Sequence, residues 1–293
     1  MKKILITGAG GYLAGHLAAK LILNNYDVIL IDKKKIKKKI LGNKIKHLDI
    51  LKIKNKDNLF KNIKFIFHFA GMADIAKSNR NSEQAIIDNI IATNILIEKA
   101  VKFKIERLFF ASTLYVYSKN KGGIYKITKK TCEDLILNAS ERYNLKYTII
   151  KFGSIYGGNA NNFNLIRNLL LSGLYKRKII QNLSGREIRS YIYIDDVIKI
   201  CADLIKNKYI NKNVLISGYE TISIKNLINK LENMIKDKIK IKFTYLKNND
   251  HYEKNVFDIA PKNLIKIKLN KFITLDEGLK KEFNYLTSKN VEL

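Results

Sequence analysis

The segment that most constrains this chain is TGAGGYLAG at residues 7–15, because it follows an apolar run, KILIT at 3–7, and opens a stretch of helical period over about 12–24. Glycines at a strand-to-helix turn have a physical use. Gly8 permits the tight turn and Gly11 lets backbone approach a pyrophosphate, while the free N–H groups that open the helix, at Tyr12 and Leu13, favour an anion. The third small position is Ala14, followed by Gly15, so helix and strand can still pack closely. A plain turn would also tolerate these glycines; the placement between strand and helix is what favours a dinucleotide.

The rest of the first half repeats the alternation. DVILID (27–32), KFIFHFA (64–70), RLFFAST (107–113) and YTIIKF (147–152) are short apolar runs, with helical patterns over about 83–103 and 125–143. Strands buried on both faces read in this way, so the pattern predicts an α/β fold built on a Rossmann-type doubly wound parallel sheet. From about residue 154 the alternation loosens; NVLISG (213–218) reads as one more sheet strand, and 159–190 and 221–293 as loops, short strands and helices. The expected organisation is a dinucleotide-binding domain over 1–153 completed by the strand at 213–218, with a smaller C-terminal α/β domain, mainly substrate-binding, over 154–293. The sole proline, Pro261, marks no boundary.

Asp32 ends the second run, 21 residues after Gly11, where a carboxylate can accept from the ribose hydroxyls of an adenosine. Its charge would repel a 2′-phosphate and favours NAD over NADP, although the lysines at 33–35 pull the other way, and an end-of-strand aspartate can also lack a ligand role. The formal charge of +29 raises the question of nucleic acid. The excess is lysine spread along the whole chain, with arginines and aromatics concentrated on no element, so no nucleic acid is expected as partner. KKKIKKK at 33–39 reads as a solvated loop and helix start. Cys132 and Cys201 stand far apart in helical patterns and read as small buried residues of a reducing compartment, with no metal spacing. No segment approaches the roughly 18 apolar residues of a membrane span, so the expectation is a soluble cytoplasmic protein with no membrane partner.

Five Tyr-x-x-x-Lys patterns occur, starting at Tyr115, Tyr117, Tyr125, Tyr147 and Tyr285, where chance in so lysine-rich a chain supplies about two or three. On a strand Tyr147 and Lys151 would lie roughly 13 Å apart. Tyr115 and Tyr117 lead into a turn-like stretch, and Tyr285 lies near a polar C-terminus expected to fray. Tyr125 and Lys129 alone stand where a helix begins after GG, and residues four apart on a helix share a face. An ammonium there would lower the phenol's pKa toward working pH, and Thr113, at the end of RLFFAST, could bridge substrate oxygen and phenol.

These residues resemble the extended short-chain dehydrogenases/reductases, in particular the NAD-dependent epimerase/dehydratase group acting on nucleotide sugars. The matches run along nearly the whole chain: TGAGGYLAG, HLDI (47–50), HFAG (68–71), ASTLYVYS (111–118), YKITK (125–129), KFGSIYG (151–157) and RSYIYIDDV (189–197). The resemblance implies a catalytic set of Thr113, Tyr125 and Lys129. It implies that Asp49 and Ile50 hold the adenine and that Phe69, Ala70, Gly71, Asn89, Ala111, Ser112 and Phe152 line the NAD, with Tyr125 and Lys129 touching it as well. Substrate contacts would come from Thr113, Tyr115, Ser154 and Arg189, the last gripping the diphosphate; a surface ion pair of Arg189 with Asp195 or Asp196 is the alternative.

Several positions depart from the pattern. Lys151 and Ser154 replace an arginine and an asparagine, and Ala73 replaces a lysine that related epimerases carry two places after HFAG. Leu114 and Tyr115 stand where dehydratases place an aspartate and a glutamate, which argues against elimination of water. The loop from Ser118 to Tyr125 is short. The resemblance implies a nucleotide-sugar epimerase working at a secondary hydroxyl, C4. A C4 dehydrogenase/ketoreductase is the alternative, and a non-catalytic dinucleotide-sensing or nucleic-acid regulatory protein the distant one. A homodimer through the helices near 83–103 and 125–143, with outer apolar residues such as Leu135 and Ile136, is implied by the resemblance alone.

Overall fold

The computed structural model describes residues 2–53, 55–158, 160–161, 164–235, 238–244, 264–267 and 269–288. The first half alternates as the apolar runs require: β1 (Lys3–Thr7), α1 (Tyr12–Leu23), β2 (Asp27–Asp32), β3 (Ile45–His47) and β4 (Ile63–His68). It continues through α2 (Ile75–Arg80), α3 (Ser82–Ile86), a π-helical turn (Ile87–Ile91), α4 (Ala92–Lys102), β5 (Arg107–Thr113), α5 (Gly123–Tyr143) and β6 (Tyr147–Phe152). The second half holds β7 (Ser154–Tyr156), α6 (Leu165–Lys176), β8 (Lys178–Gln181), β9 (Ile188–Tyr193), α7 (Ile194–Asp203) and β10 (Lys212–Ile216). β11 (Thr221–Ser223), α8 (Ile224–Ile235), β12 (Lys240–Phe243), β13 (Ile265–Lys266) and α9 (Leu275–Ser288) complete it.

Eight strands form one parallel sheet in the order β13-β10-β6-β5-β4-β1-β2-β3. The order reverses between β1 and β4, so the crevice above that pair is where a doubly wound sheet accepts a ligand. Successive side chains on each strand go to opposite faces. Ile4, Ile6, Phe65, Phe67, Phe109 and Ile150 face a core shared with α1, α6, α7, α8 and α9. Their neighbours Leu5, Ile66, Leu108, Phe110 and Ile149 face a second core under α4 and α5. Burial of one such side chain contributes about 1.5–3 kcal/mol, which is why both faces must be covered.

β10 joins β6 as expected, but β13 adds an edge strand that its two-residue length hid from the sequence. The smaller sheets, β11-β9-β7 and β12-β8, lie outside the large one. β9 packs close to its C-terminal edge, since a Cβ on Gly218, just past β10, would fall 2.0 Å from the Tyr191 carbonyl oxygen. KKKIKKK starts no helix: residues 33–39 form an exposed loop, and only Ile36 turns inward, against Gly10 of the glycine turn. The helix expected over 83–103 is three pieces, because the π-helical turn inserts at Asn89. Tyr285 sits on α9, not in a frayed end, while its Lys289, like Pro261, lies outside the described residues. Tyr115 and Tyr117 lie on one short 3-10 turn (Leu114–Tyr117). Both cysteines are buried and in no disulfide.

Candidate active site

The glycine turn is built for close approach. Gly8 has φ +68°, and a Cβ there would sit 2.7 Å from the Ala70 nitrogen, so the ends of β1 and β4 touch only because both side chains are small or absent. The Gly11 N–H donates to the Gly8 carbonyl at 2.8 Å and Gly11 caps α1 in extended conformation. Asp32, at the end of β2, accepts from Gly10 N–H at 3.0 Å and Lys34 N–H at 2.8 Å, which fixes its carboxylate beside the turn. Lys33 is ion-paired with Asp88. A cavity of about 330 Å³ lies next to it, lined by Lys33, His47, Leu48, Asp49, Lys52 and Lys56. Asp49 caps the turn that follows through Leu51 N–H at 3.0 Å, whereas the Ile50 side chain goes into the core. Tyr12 spends its hydroxyl on the Gly157 carbonyl, tying α1 to the loop after β7, and Leu13 is half-buried.

A buried polar relay, without a role in the sequence reading, supports this floor. His68 Nδ1 lies 2.8 Å from the Thr7 hydroxyl and its Nε2 3.0 Å from the Thr93 hydroxyl. Thr7 Oγ1 also accepts from Ala70 N–H at 3.2 Å. Burial holds the imidazole neutral, its pKa down to about 3, with the Lys129 charge acting in the same direction. Next to it Gly71 has φ +140°, and a Cβ there would meet Asn89 Oδ1 at 2.5 Å and Lys129 Nζ at 3.7 Å. Asn89 accepts from Met72 N–H at 2.7 Å and donates to Thr128 at 2.9 Å. The π-helical turn thus aims Asn89 at the 71–72 loop, while its carbonyl accepts from Thr93 and from the Cys132 thiol at 3.3 Å.

Thr113 ends β5 beside Tyr125, and its hydroxyl accepts from Tyr115 N–H at 3.3 Å. Lys129, one helical turn on, donates to the Ala111 carbonyl at 2.8 Å and is 5% exposed. The three groups meet at the C-terminal end of β5, beside Gly71. The phenol differs from expectation: burial raises its pKa to about 12, and only the Thr113 hydroxyl opposes this. Lys129 is itself pushed down by burial, with Cys132 and Glu133 pulling it up, so burial disfavours the charged form of both groups. Tyr115 lies edge-on to Tyr125, ring centroids 6.4 Å apart. Phe69 and Phe152 flank the same edge at 6.2 Å from each other.

The short loop before α5 has its own architecture. Gly122 and Gly123 take φ +93° and +46°, and Asn79 of α2 accepts from Ile124 N–H at 2.9 Å. Lys126 donates to the Ser118 and Lys119 carbonyls at 2.8 Å each, closing the loop. Lys151 turns away from the strand end: it is 1% exposed and ion-paired with buried Glu133, which also accepts from Ser112. Leu114 is buried, Ser154 half-buried. Arg189 is 6% exposed and donates to the Ile188 carbonyl at 2.9 Å, so it is no surface residue. Asp195 pairs with Lys281, and Asp196 with Lys199 and Ile273 N–H. Glu133 was legible in principle, standing four residues after Lys129 and eight after Tyr125 on one helix face. A larger cavity, about 520 Å³, opens at the opposite, N-terminal ends of the strands around Phe65, Arg107 and Lys146, away from these groups.

The residues present fit a bound dinucleotide: the glycine cradle would be filled by any Cβ, Asp32 stands at the ribose position, and α1 offers its N-terminal N–H groups. Comparisons agree in fold. The Bacillus subtilis protein YtcB, an uncharacterised UDP-glucose epimerase, is 26% identical over 83% of this chain and 85% of its own. The UDP-glucose 4-epimerase of Thermotoga maritima, solved with UDP-glucose, superposes with a TM-score of 0.82 at 22% identity, covering 99% of this chain and 100% of that one. The UDP-glucuronic acid 4-epimerase of Bacillus cereus, solved with UDP-glucuronic acid and NAD, gives 0.81 at 22% identity over 98% and 99%. Residues 4–217 match the model of the NAD dependent epimerase/dehydratase family, from β1 to just past β10. By that match this chain belongs to the NAD dependent epimerase/dehydratase family, with NAD as its cofactor.

Proposed function

We propose that the protein reversibly oxidises a secondary hydroxyl, C4, of a nucleotide-activated sugar and acts as an epimerase. The observation that carries this reading is the convergence of Thr113, Tyr125 and Lys129 at the end of β5, beside the glycine floor at Gly8 and Gly71. The named relatives support the nucleotide-sugar class of substrate. NAD, when bound, accepts a hydride and can return it. Thr113 steadies the substrate oxygen and Tyr125 takes its proton. Lys129 supplies the positive charge that a phenol held near 12 needs in order to lose its own proton. Arg189 is assigned to the diphosphate, with Tyr115 and Ser154 toward the sugar, in a substrate-binding unit formed mainly by residues 154–293.

Leu114 in the buried wall after Thr113 supplies no acid, which separates the proposal from a dehydratase. Incubation of NAD-loaded protein with UDP-sugars deuterated at C4 tests it. Deuterium retained in an inverted product is expected; stoichiometric NADH with release of a keto-sugar would replace the epimerase by a C4 dehydrogenase. Tyr125→Phe is expected to lower turnover by about 10²- to 10⁴-fold, and near-normal turnover would remove Tyr125 from the chemistry.

A further inference from the structure

We propose that Glu133 and Lys151 are positioning residues for the reaction centre, a buried pair that locks the end of β5 onto α5 and balances charge one helical turn from Lys129. The inference rests on the functional reading above. α5 grips the end of β5 at two points along one face, Lys129 on the Ala111 carbonyl and Glu133 on the Ser112 hydroxyl, with Tyr125 beside Thr113 one turn earlier. Glu133 is 4% exposed, Ser112 3% and Lys151 1%, so this polar cluster is dry. Lys151 is the cross-strand partner of Ser112 on β6, and its ammonium meets the second oxygen of Glu133 while lying 5.1 Å from the Tyr117 ring centroid.

A core that needed only packing would fill this space with apolar groups at less cost, since a buried ion pair is seldom more stabilising than a hydrophobic replacement. What the pair supplies is geometry and field. Ser112, the chain neighbour of Thr113, is tied to the helix that carries Tyr125 and Lys129. The titratable groups acting on Lys129 are Cys132 and Glu133 from its own helix and neutral His68 from β4; among them Glu133 brings the carboxylate that favours the ammonium.

Two readouts separate this proposal from the functional one. In cofactor-free protein with carbon-labelled lysine, the Lys129 resonance, assigned by its loss in Lys129→Met, is expected to titrate at lower pH in Glu133→Gln than in wild type. In NAD-loaded protein turning over a UDP-sugar, the alkaline limb of kcat is expected to move to lower pH in the same variant. kcat should fall roughly 10- to 100-fold while KM changes little. Lys151→Arg should keep more of kcat than Lys151→Met. Should Glu133→Gln not fold, Glu133→Gln/Lys151→Met, which leaves no uncompensated charge, is read in the same way. An unmoved Lys129 titration in whichever variant folds overturns the proposal, and failure of both to fold makes the pair purely structural and overturns it too. A moved titration in a protein inactive on every nucleotide sugar would instead sink the functional reading.

Discussion

Single residues here do work that their types did not announce. His68 lay inside a recognisable HFAG segment, yet its partners come from β1 and α4, 61 and 25 residues away, so no local pattern could reveal the Thr7–His68–Thr93 relay. Its burial has a measurable consequence. The imidazole binds a proton near 6.5 when unfolded and near 3 when folded, so the unfolded chain binds more protons between those values. Stability should therefore fall as pH drops through that window. Thermal midpoints measured from about pH 7 to about pH 4 should decline in the wild type, and His68→Gln should flatten the slope. Tyr125 teaches the converse: a lysine four residues away promised a lowered phenol pKa, but desolvation dominates and raises it to about 12.

Among the elements, the loop into α5 is the most constrained. Gly123 has φ +46°, and an added Cβ would lie 2.1 Å from Asn79 Oδ1, the acceptor that caps Ile124 N–H. Gly123→Ala should cost about 1–3 kcal/mol through strain and clash and should also lower kcat, because Tyr125 is two residues on. Asn79→Ala removes the cap without backbone strain and should cost about 1 kcal/mol in a denaturant titration, with a smaller effect on rate. The strands were legible because both-face burial writes itself as apolar runs, and α5 because its start follows GG. The π-helical turn was not legible, since the extra residue at Asn89 answers to a loop contact with Met72 and leaves no periodic trace.

At the scale of the molecule, charge and apolar surface point in different directions. The +29 net charge is spread rather than clustered, and no described helix is long and apolar enough to cross a membrane. The exposed apolar residues are more local. Ile86, Ile91 and Ile127 are 42%, 46% and 54% exposed on the face made by α3, the π-helical turn and α5. We propose that this face joins two copies in a homodimer; Leu135 is half-buried there, while Ile136 is wholly core and not an outer position. Ile91→Glu/Ile127→Glu should convert a dimer to monomer in sedimentation velocity, and an unchanged sedimentation coefficient would place the interface elsewhere.

The main strands of the first half, the glycine turn and the placement of Tyr125 and Lys129 on one helix were determined by the sequence alone, because each depends on spacing within a few residues. Tertiary structure decided what those residues experience. Burial raised the phenol instead of lowering it, turned Lys151 into the core against Glu133, and folded a two-residue strand from near residue 265 onto the sheet edge. Desolvation and long-range pairing are properties of the packed chain, and they cannot be read from neighbours in sequence.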